Sequence, residues 1–196
     1  LEAATQFVEL LEKMERRELA QLKRNAGEVL PGKGVAWFPS LLRSGVANKN
    51  KEIFFSVATL YDFNRKPKIG NDFGATLGIV AERSYPLEPP EKARKRFRRF
   101  HVLLDASFDT IVDPDDFDAP VQQGGGEMAF RLRQMVRICA AKEVGLDWPQ
   151  LLADLCRWSL SDKRVQKKWA RSFFGQYSGA APDNAVPVEA TDEPAA

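Results

Sequence analysis

The sequence has few residues of the kinds that form metal sites or covalent cross-links. Its 196 residues include two cysteines, Cys139 and Cys156, and a single histidine, His101. Because a structural zinc site uses about four Cys or His ligands, three such residues argue against one. Both cysteines lie among apolar residues at helical spacing, which predicts buried, reduced thiols, although a disulfide between them stays an alternative. We expect no metal site and no cofactor.

Long apolar runs and strand-like patterns are also scarce. No apolar run approaches the roughly 18 residues that span a bilayer. The N-terminus lacks a basic segment followed by an apolar one, so we expect a cytoplasmic protein with no membrane contact. Apolar residues recur mostly at helical spacing, which predicts an all-α fold.

The predicted architecture is a compact helical bundle of roughly eight helices. Residues 1–177 form the all-helical domain, and a division into two small lobes, about 1–108 and 109–177, stays open. The tail, 178–196, is rich in Ala, Pro and acids, which predicts disorder. The predicted helices are Glu2–Ala26 with a break near Glu15–Glu18, Phe38–Arg43, Glu52–Asn64, Asp72–Arg83 capped by Asn71, Glu91–Ala106, Glu127–Glu143, one capped by Asp147, and one ending near Gly175. Asp109–Gln123 is predicted to be loop or short turns, since it is acidic and broken by proline.

The net charge of the chain is small but unevenly distributed. It is +2 overall, and the last 19 residues carry four acids and no base. The rest therefore has 29 basic against 23 acidic side chains, an excess of about six. The clustering of these bases matters more than their number.

Three sequence patterns resemble catalytic or metal-binding motifs, but a non-functional explanation fits each of them better. Gly27–Gly34 matches GxxxxGK, but Gly34 replaces the hydroxyl that holds Mg²⁺, and the segment follows a helix instead of a strand. We interpret it as an interhelical loop and keep a phosphate-loop enzyme as a rival hypothesis. The aspartates of 113–118 lack the glycine and glutamate of a calcium loop. His101 is predicted to lie among core-facing residues, with no evident nucleophile beside it. We therefore expect no catalytic residue.

The basic segments carry the functional prediction. Six of the eight residues from Lys92 to Arg99 are basic and none is acidic. On a helical wheel Lys95, Arg98 and Arg99 point away from the apolar stripe of their helix. Like charges one turn apart destabilise a helix, and a bound polyanion would offset that repulsion.

Three other helices repeat the pattern. Outward or helix-end bases are predicted at Lys23, Arg24, Arg133, Arg137, Lys167 and Arg171. Phe130 lies near the arginines of its own helix. No zinc finger, helix-turn-helix or RNA-recognition pattern accompanies these bases. They predict contacts to a nucleic-acid backbone with little base specificity and strong salt dependence.

An ordered set of short elements resembles the CasB family, the small subunit of the type I-E CRISPR surveillance complex, Cascade. The elements are Leu19–Arg24 (LAQLKR), Asn71–Gly74 (NDFG), Arg98–Leu104 (RRFHVLL), Leu132–Val136 (LRQMV), Asp147–Trp158 (DWPQLLADLCRW) and Val165–Phe174 (VQKKWARSFF). One departure is Lys23, where the family usually has arginine. The acidic tail is another, since the family pattern says nothing of it.

The resemblance implies a non-catalytic, all-helical subunit. Its expected partners are the CRISPR guide RNA, the target DNA and its displaced single strand, the backbone and large subunits of Cascade, and further copies of itself. In such assemblies base pairing reads the sequence, so the protein needs only shape and charge. The alternative is a purely protein–protein scaffold whose basic faces contact acidic partner subunits.

Overall fold

The computed structural model describes residues 1–28, 30, 35–41, 50–84, 90–113, 116–123 and 126–176. For 40–41, 90–97, 109–113, 116–123 and 176 it describes the backbone alone. The helices are α1 (Glu2–Lys13), α2 (Arg16–Arg24), α3 (Phe38–Leu41), α4 (Lys51–Tyr61), α5 (Phe73–Ser84), α6 (Pro90–Asp105), α7 (Gly126–Ala141), α8 (Trp148–Leu155) and α9 (Arg164–Gln176). Apart from the one-turn α3, eight helices are thus present in these ranges, and the predicted all-α bundle is confirmed.

The first predicted helix is divided in two, as its rotated apolar stripe indicated. Met14 and Glu15 adopt extended backbone between α1 and α2. The Glu15 amide donates to the Glu18 carboxylate at 3.1 Å, and the Glu15 side chain caps the helix in return. This capping box satisfies amides that a helix start leaves without partners. Gly27, at a φ of 98°, follows the end of α2.

The centre of the bundle is α4, whose residues from Ile53 to Tyr61 are all buried. Phe55 contacts Phe38 of α3 edge-on, with ring centroids 5.0 Å apart. Tyr61 contacts Trp148 of α8, with centroids 5.6 Å apart. Because α4 is buried on every side, it needs such neighbours all round.

The prediction of loop or turns for Asp109–Gln123 was wrong. An antiparallel hairpin forms there from β1 (Asp109–Asp113) and β2 (Asp116–Gln123). Ile111 pairs with Val121, and the register shifts next to Asp113. Pro120 is tolerated because each strand of a two-stranded ribbon has a free edge. The β-branched run in Asp109–Asp113 favoured a strand, and the acids and the proline around it obscured that signal.

Caps formed by aspartates fix the start of α5 and of α8. The Asp147 carboxylate accepts from the Gln150 amide at 3.0 Å, which confirms the predicted cap of α8. For α5 the prediction of Asn71 was wrong by one residue. Asp72 is the residue whose carboxylate accepts from the Ala75 amide, at 2.9 Å.

Helices that are far apart in sequence share one core. Gly74 of α5 lies against the backbone of Trp169 in α9, so closely that a Cβ there would overlap the Trp169 carbonyl. The Trp158 indole donates to the Ala106 carbonyl at 2.8 Å. The division into two lobes near residue 108 stays a prediction. The predicted loop over residues 31–34, the predicted end of α3 at Gly45 and the predicted disordered tail lie outside the described residues.

Candidate nucleic-acid interface

Six of the nine predicted binding residues have exposed side chains. None of the six forms an ion pair with any side chain in the described ranges. No described acid therefore neutralises their charges. They are Arg24, Arg98, Arg99, Arg137, Lys167 and Arg171.

Lys23 is held inside the fold by contacts with the end of α4. Its ammonium lies 3.0 Å from the Asp62 carboxylate and 4.7 Å from the centroid of the Phe63 ring. Both members of the ion pair are partly buried. A cation engaged in this way contributes less to phosphate binding, because the Asp62 carboxylate already neutralises it.

The prediction that Arg133 points outward was wrong. Its side chain is partly buried, and its Nη1 donates to the Ala26 carbonyl, just beyond the end of α2, at 3.1 Å. Its guanidinium carbon lies 5.8 Å from the centroid of the Phe63 ring, the same ring that Lys23 contacts. An arginine on a helix end satisfies carbonyls that the helix leaves free. Lys23 and Arg133 thus join α2, α4 and α7.

Arg24 and Arg137 lie next to this junction. Arg24 ends α2 directly after Lys23, and Arg137 lies one turn beyond Arg133 on α7. The helical prediction for α7 is confirmed in its core stripe, since Met128, Leu132, Met135, Val136 and Cys139 are all buried. The partly buried pair therefore positions two exposed arginines on neighbouring helices.

On α6 the exposed and buried sides separate clearly. Phe100 and Leu103 are fully buried, while Arg98 and Arg99 are exposed. Lys95 lies one turn earlier on the same helix, and its side chain lies outside the described part. The predicted outward direction of Arg98 and Arg99 is confirmed.

On α9 the core residues Val165, Trp169 and Phe173 are buried as predicted. Lys167 and Arg171, one turn apart, lie on the opposite side and are exposed. Lys168, which lies between them in sequence, contacts other parts of the fold.

Lys168 extends toward two buried carboxylates, at 3.3 Å from Asp154 and 3.9 Å from Asp72. The same Asp154 carboxylate accepts a hydrogen bond from the Trp169 indole at 2.8 Å. Lys168 is therefore part of the fold that holds α9 against α5 and α8.

An aromatic contact brings the basic surfaces of α6 and α9 together. The rings of Phe100 and Phe173 are stacked, with centroids 4.3 Å apart and an angle of 20° between their planes. At the surface the rings of His101 and Phe174 lie 6.4 Å apart. The prediction that His101 faces the core was wrong, since its side chain is exposed.

Phe174 is the residue of this surface that sequence reasoning missed. Its side chain is 51% exposed. One signal was available, because Phe174 follows the core residue Phe173 and each residue turns the helix by about 100°. A second large ring directly after a core ring cannot face the same way.

The described residues show no arrangement suited to metal or thiol chemistry. No group of three or more His, Cys, Asp or Glu side chains among them is placed to hold a metal ion. Both cysteines are free thiols, and Cys139 is buried as predicted, whereas Cys156 is only partly buried. Burial raises the pKa of Cys139 to about 12 and that of Cys156 to about 11. Thiols with so high a pKa are poor nucleophiles at neutral pH. None of the described helices is long and apolar enough to cross a membrane.

Comparison with known sequences identifies the family of the chain. A sequence model of the family described as CRISPR-associated protein Cse2 matches residues 18–174. The chain belongs to the Cse2 family. The matched range contains every one of the nine predicted binding residues, from Lys23 to Arg171. The predicted resemblance to CasB is confirmed.

Relatives of known sequence or structure include several Cse2 and CasB proteins. The CRISPR-associated protein Cse2 of Thermus thermophilus is 30% identical over 138 residues, which are 70% of this chain and 64% of that protein. The alignment thus spans less than two thirds of that relative's length.

Solved structures share the fold. The crystal structure of CasB from M. ruber has a TM-score of 0.62 and 22% identity, covering 88% of this chain and 93% of that one. A chain of a CRISPR RNA-guided surveillance complex has a TM-score of 0.58 and 18% identity, covering 89% and 93%.

Proposed function

We propose that this Cse2-family chain is a non-catalytic subunit of an RNA-guided DNA-surveillance complex in antiviral defence. It binds the sugar-phosphate backbones of guide RNA and target DNA and stabilises the R-loop. Family membership supports the assignment to CRISPR defence. The shared fold with a chain of an RNA-guided surveillance complex is consistent with a role inside such an assembly.

The observation that carries the proposal is the set of six exposed cations without ion-pair partners in the described ranges. Exposed bases on a soluble protein usually lie near acids. Here they lie on α2, α6, α7 and α9, and no acid of the described ranges forms an ion pair with them. Arginine and lysine on long side chains suit phosphate contacts, which position a nucleic acid without reading its bases.

The nine predicted residues divide into two roles. The six exposed cations contact phosphates directly. Lys95 continues the row on α6 by its place in the sequence. Lys23 and Arg133 act as positioning residues, since their contacts with Asp62, Ala26 and Phe63 hold the helices that carry Arg24 and Arg137.

The subunit needs no cofactor and no metal for this role, because holding a strand requires charge and shape alone. Its partners are the backbone and large subunits, guide RNA, target DNA with its displaced strand, and further copies of itself. The complex acts in the cytoplasm.

The test is a pair of charge-reversal variants in the reconstituted complex. R98E/R99E should weaken R-loop stability in a salt titration, since R-loop formation is a near-balanced exchange that backbone contacts tip. K13E/R16E is the matched control, because Lys13 and Arg16 are exposed, carry the same charge and lie at the α1–α2 corner.

Two results would overturn the proposal. One is an R-loop of R98E/R99E as stable as that of the control across the titration. The other is assembly of R98E/R99E that fails before any nucleic acid is added. That second result would favour the protein–protein scaffold.

A further inference from the structure

Two exposed rings form a small platform where α6 meets α9. The rings of Phe174 and His101 lie 6.4 Å apart at the surface, with an angle of 46° between their planes. Phe174 contacts Phe173 edge-on, at a centroid distance of 5.3 Å. Phe173 in turn stacks on Phe100, which is fully buried. The exposed rings therefore rest on a rigid, buried aromatic base.

Phe174 lies outside the buried side of α9. Val165, Trp169 and Phe173 complete the buried side of α9. Phe174 is rotated from Phe173 by about one residue's turn and is 51% exposed.

Cations flank the platform on both helices. On α6, Arg98 lies one turn before His101 and is exposed. On α9, Arg171 lies one turn before Phe174, and Lys167 one turn earlier again, and both are exposed. Rings and positive charges thus alternate over one surface.

Asp105, one turn after His101, is an exposed acid on α6. It limits the positive surface at that end of the helix. The cationic approach to the rings is therefore from Arg98 and from α9.

We propose that this platform stacks an unpaired base of a single-stranded nucleic acid, with Arg98, Lys167 and Arg171 holding the adjacent phosphates. The inference rests on the proposed function and names the form of nucleic acid that this part of the surface binds. A duplex hides the faces of its bases, so exposed rings find a partner in an unpaired strand. Stacking of bases on aromatic side chains beside a cationic groove is the usual means of binding single strands.

A second exposed ring makes a useful comparison. Phe130 on α7 is 52% exposed, as much as Phe174. The guanidinium carbon of Arg131 lies 5.5 Å from its centroid, and Arg131 pairs in turn with Glu127. One face of Phe130 thus already has a cation against it, and an acid lies on the same turn.

The experiment measures the affinity of the 196-residue chain for two oligonucleotides of equal length. One is a pyrimidine single strand, and the other has the same backbone without bases. We expect F174A to bind the normal strand about 5- to 150-fold more weakly than wild type, the range that loss of one stacked base gives. F174A and wild type should bind the abasic strand alike. F174W should retain the affinity for the normal strand, and F130A should change it little.

Three outcomes would overturn the stacking proposal. The first is an F174A affinity for the normal strand equal to that of wild type. If R98E/R99E still weakens binding, the proposed backbone function stands without stacking. The second is an equal loss for F174A on both strands, which would place the effect in the fold or the backbone contacts. The third is a wild-type chain that shows no salt-sensitive binding of either strand, which would contradict the proposed function as well.

Discussion

Arg133 donates a hydrogen bond from Nη1 to the carbonyl oxygen of Ala26, 107 residues earlier in the chain, at 3.1 Å. This contact fastens α7 to the end of α2. It also separates two arginines that sequence alone treats alike, since Arg137 on the same helix is exposed and unpaired among the described side chains.

Replacement of Arg133 should therefore affect the fold more than replacement of Arg137. R133A leaves the Ala26 carbonyl without its donor, and a lost hydrogen bond of this kind costs about 1–3 kcal/mol. R137A should stay within about 0.5 kcal/mol of wild type, as surface substitutions do. Urea unfolding of the two variants measures the difference, and equal stabilities would show that the Arg133 contact does not hold the fold.

A second prediction concerns Asp154. Its buried carboxylate accepts hydrogen bonds from the Trp169 indole and from the side-chain amide of Gln150, both at 2.8 Å. D154A removes an acceptor from both donors and a counter-charge from Lys168. Because hydrogen bonds to a charged group contribute about 1.5–3 kcal/mol, the melting temperature should fall clearly. D105A is the control, since Asp105 is exposed and its carboxylate forms no ion pair with a described side chain. A D154A melting temperature no lower than that of D105A would be inconsistent with the network.

The close approach of α5 to α9 gives a third prediction. A Cβ at Gly74 would overlap the carbonyl of Trp169, and backbone on both sides must move to admit it. G74A should lose about 1–3 kcal/mol or more, the usual cost of overpacking. G175A is the matched control, because no atom lies within 4 Å of a Cβ built there. Alanine at position 175 should be neutral or slightly stabilising, as it is a better helix former than glycine. Equal melting temperatures would contradict the tight packing.

Burial of the two thiols predicts a loss of stability at high pH. Desolvation raises the pKa of Cys139 to about 12 and that of Cys156 to about 11, from an ordinary value of 9.0. The unfolded chain therefore releases these protons at lower pH than the folded chain. Stability is complete below about pH 9 and falls as the pH rises toward 11 and 12, by at most about 1.4 kcal/mol per pH unit for each thiol.

Urea unfolding at pH 8 and pH 10 tests this, with C139A/C156A as the comparison. The variant should lose less stability between the two pH values than wild type does. An equal loss in both proteins would mean that the thiols are not the groups responsible.

Helical periodicity predicted much of the fold, because α4, α7 and α9 bury the stripes that their sequences mark as apolar. The break before α2 and the Asp147 cap were also predicted, since both depend on residues within one turn. The hairpin was missed because Pro120 and the surrounding acids obscured a short β-branched run. The break and the cap are local features, and local sequence patterns indicate them.

The candidate site could be predicted in part. A helical wheel gives the direction of a side chain on its own helix, which was sufficient for Arg98 and Arg171. It does not show what packs against the flank of that helix. The end of α2 and the ring of Phe63 cover Arg133, and Asp62 pairs with Lys23, through contacts between residues far apart in sequence. His101 and Phe174 meet for the same reason, and only the packing of α6 on α9 reveals them.

The central claim is that the six predicted cations that are exposed, and that pair with no described side chain, bind phosphates. It is tested most directly by the salt dependence of single-strand affinity for the 196-residue chain. For single strands, each neutralised phosphate contributes about 0.7 to the slope of log K against log salt concentration. R98A/R99A should reduce the magnitude of that slope by about 1.4, and K13A/R16A should leave it unchanged. A slope for R98A/R99A equal to that of wild type would contradict the claim.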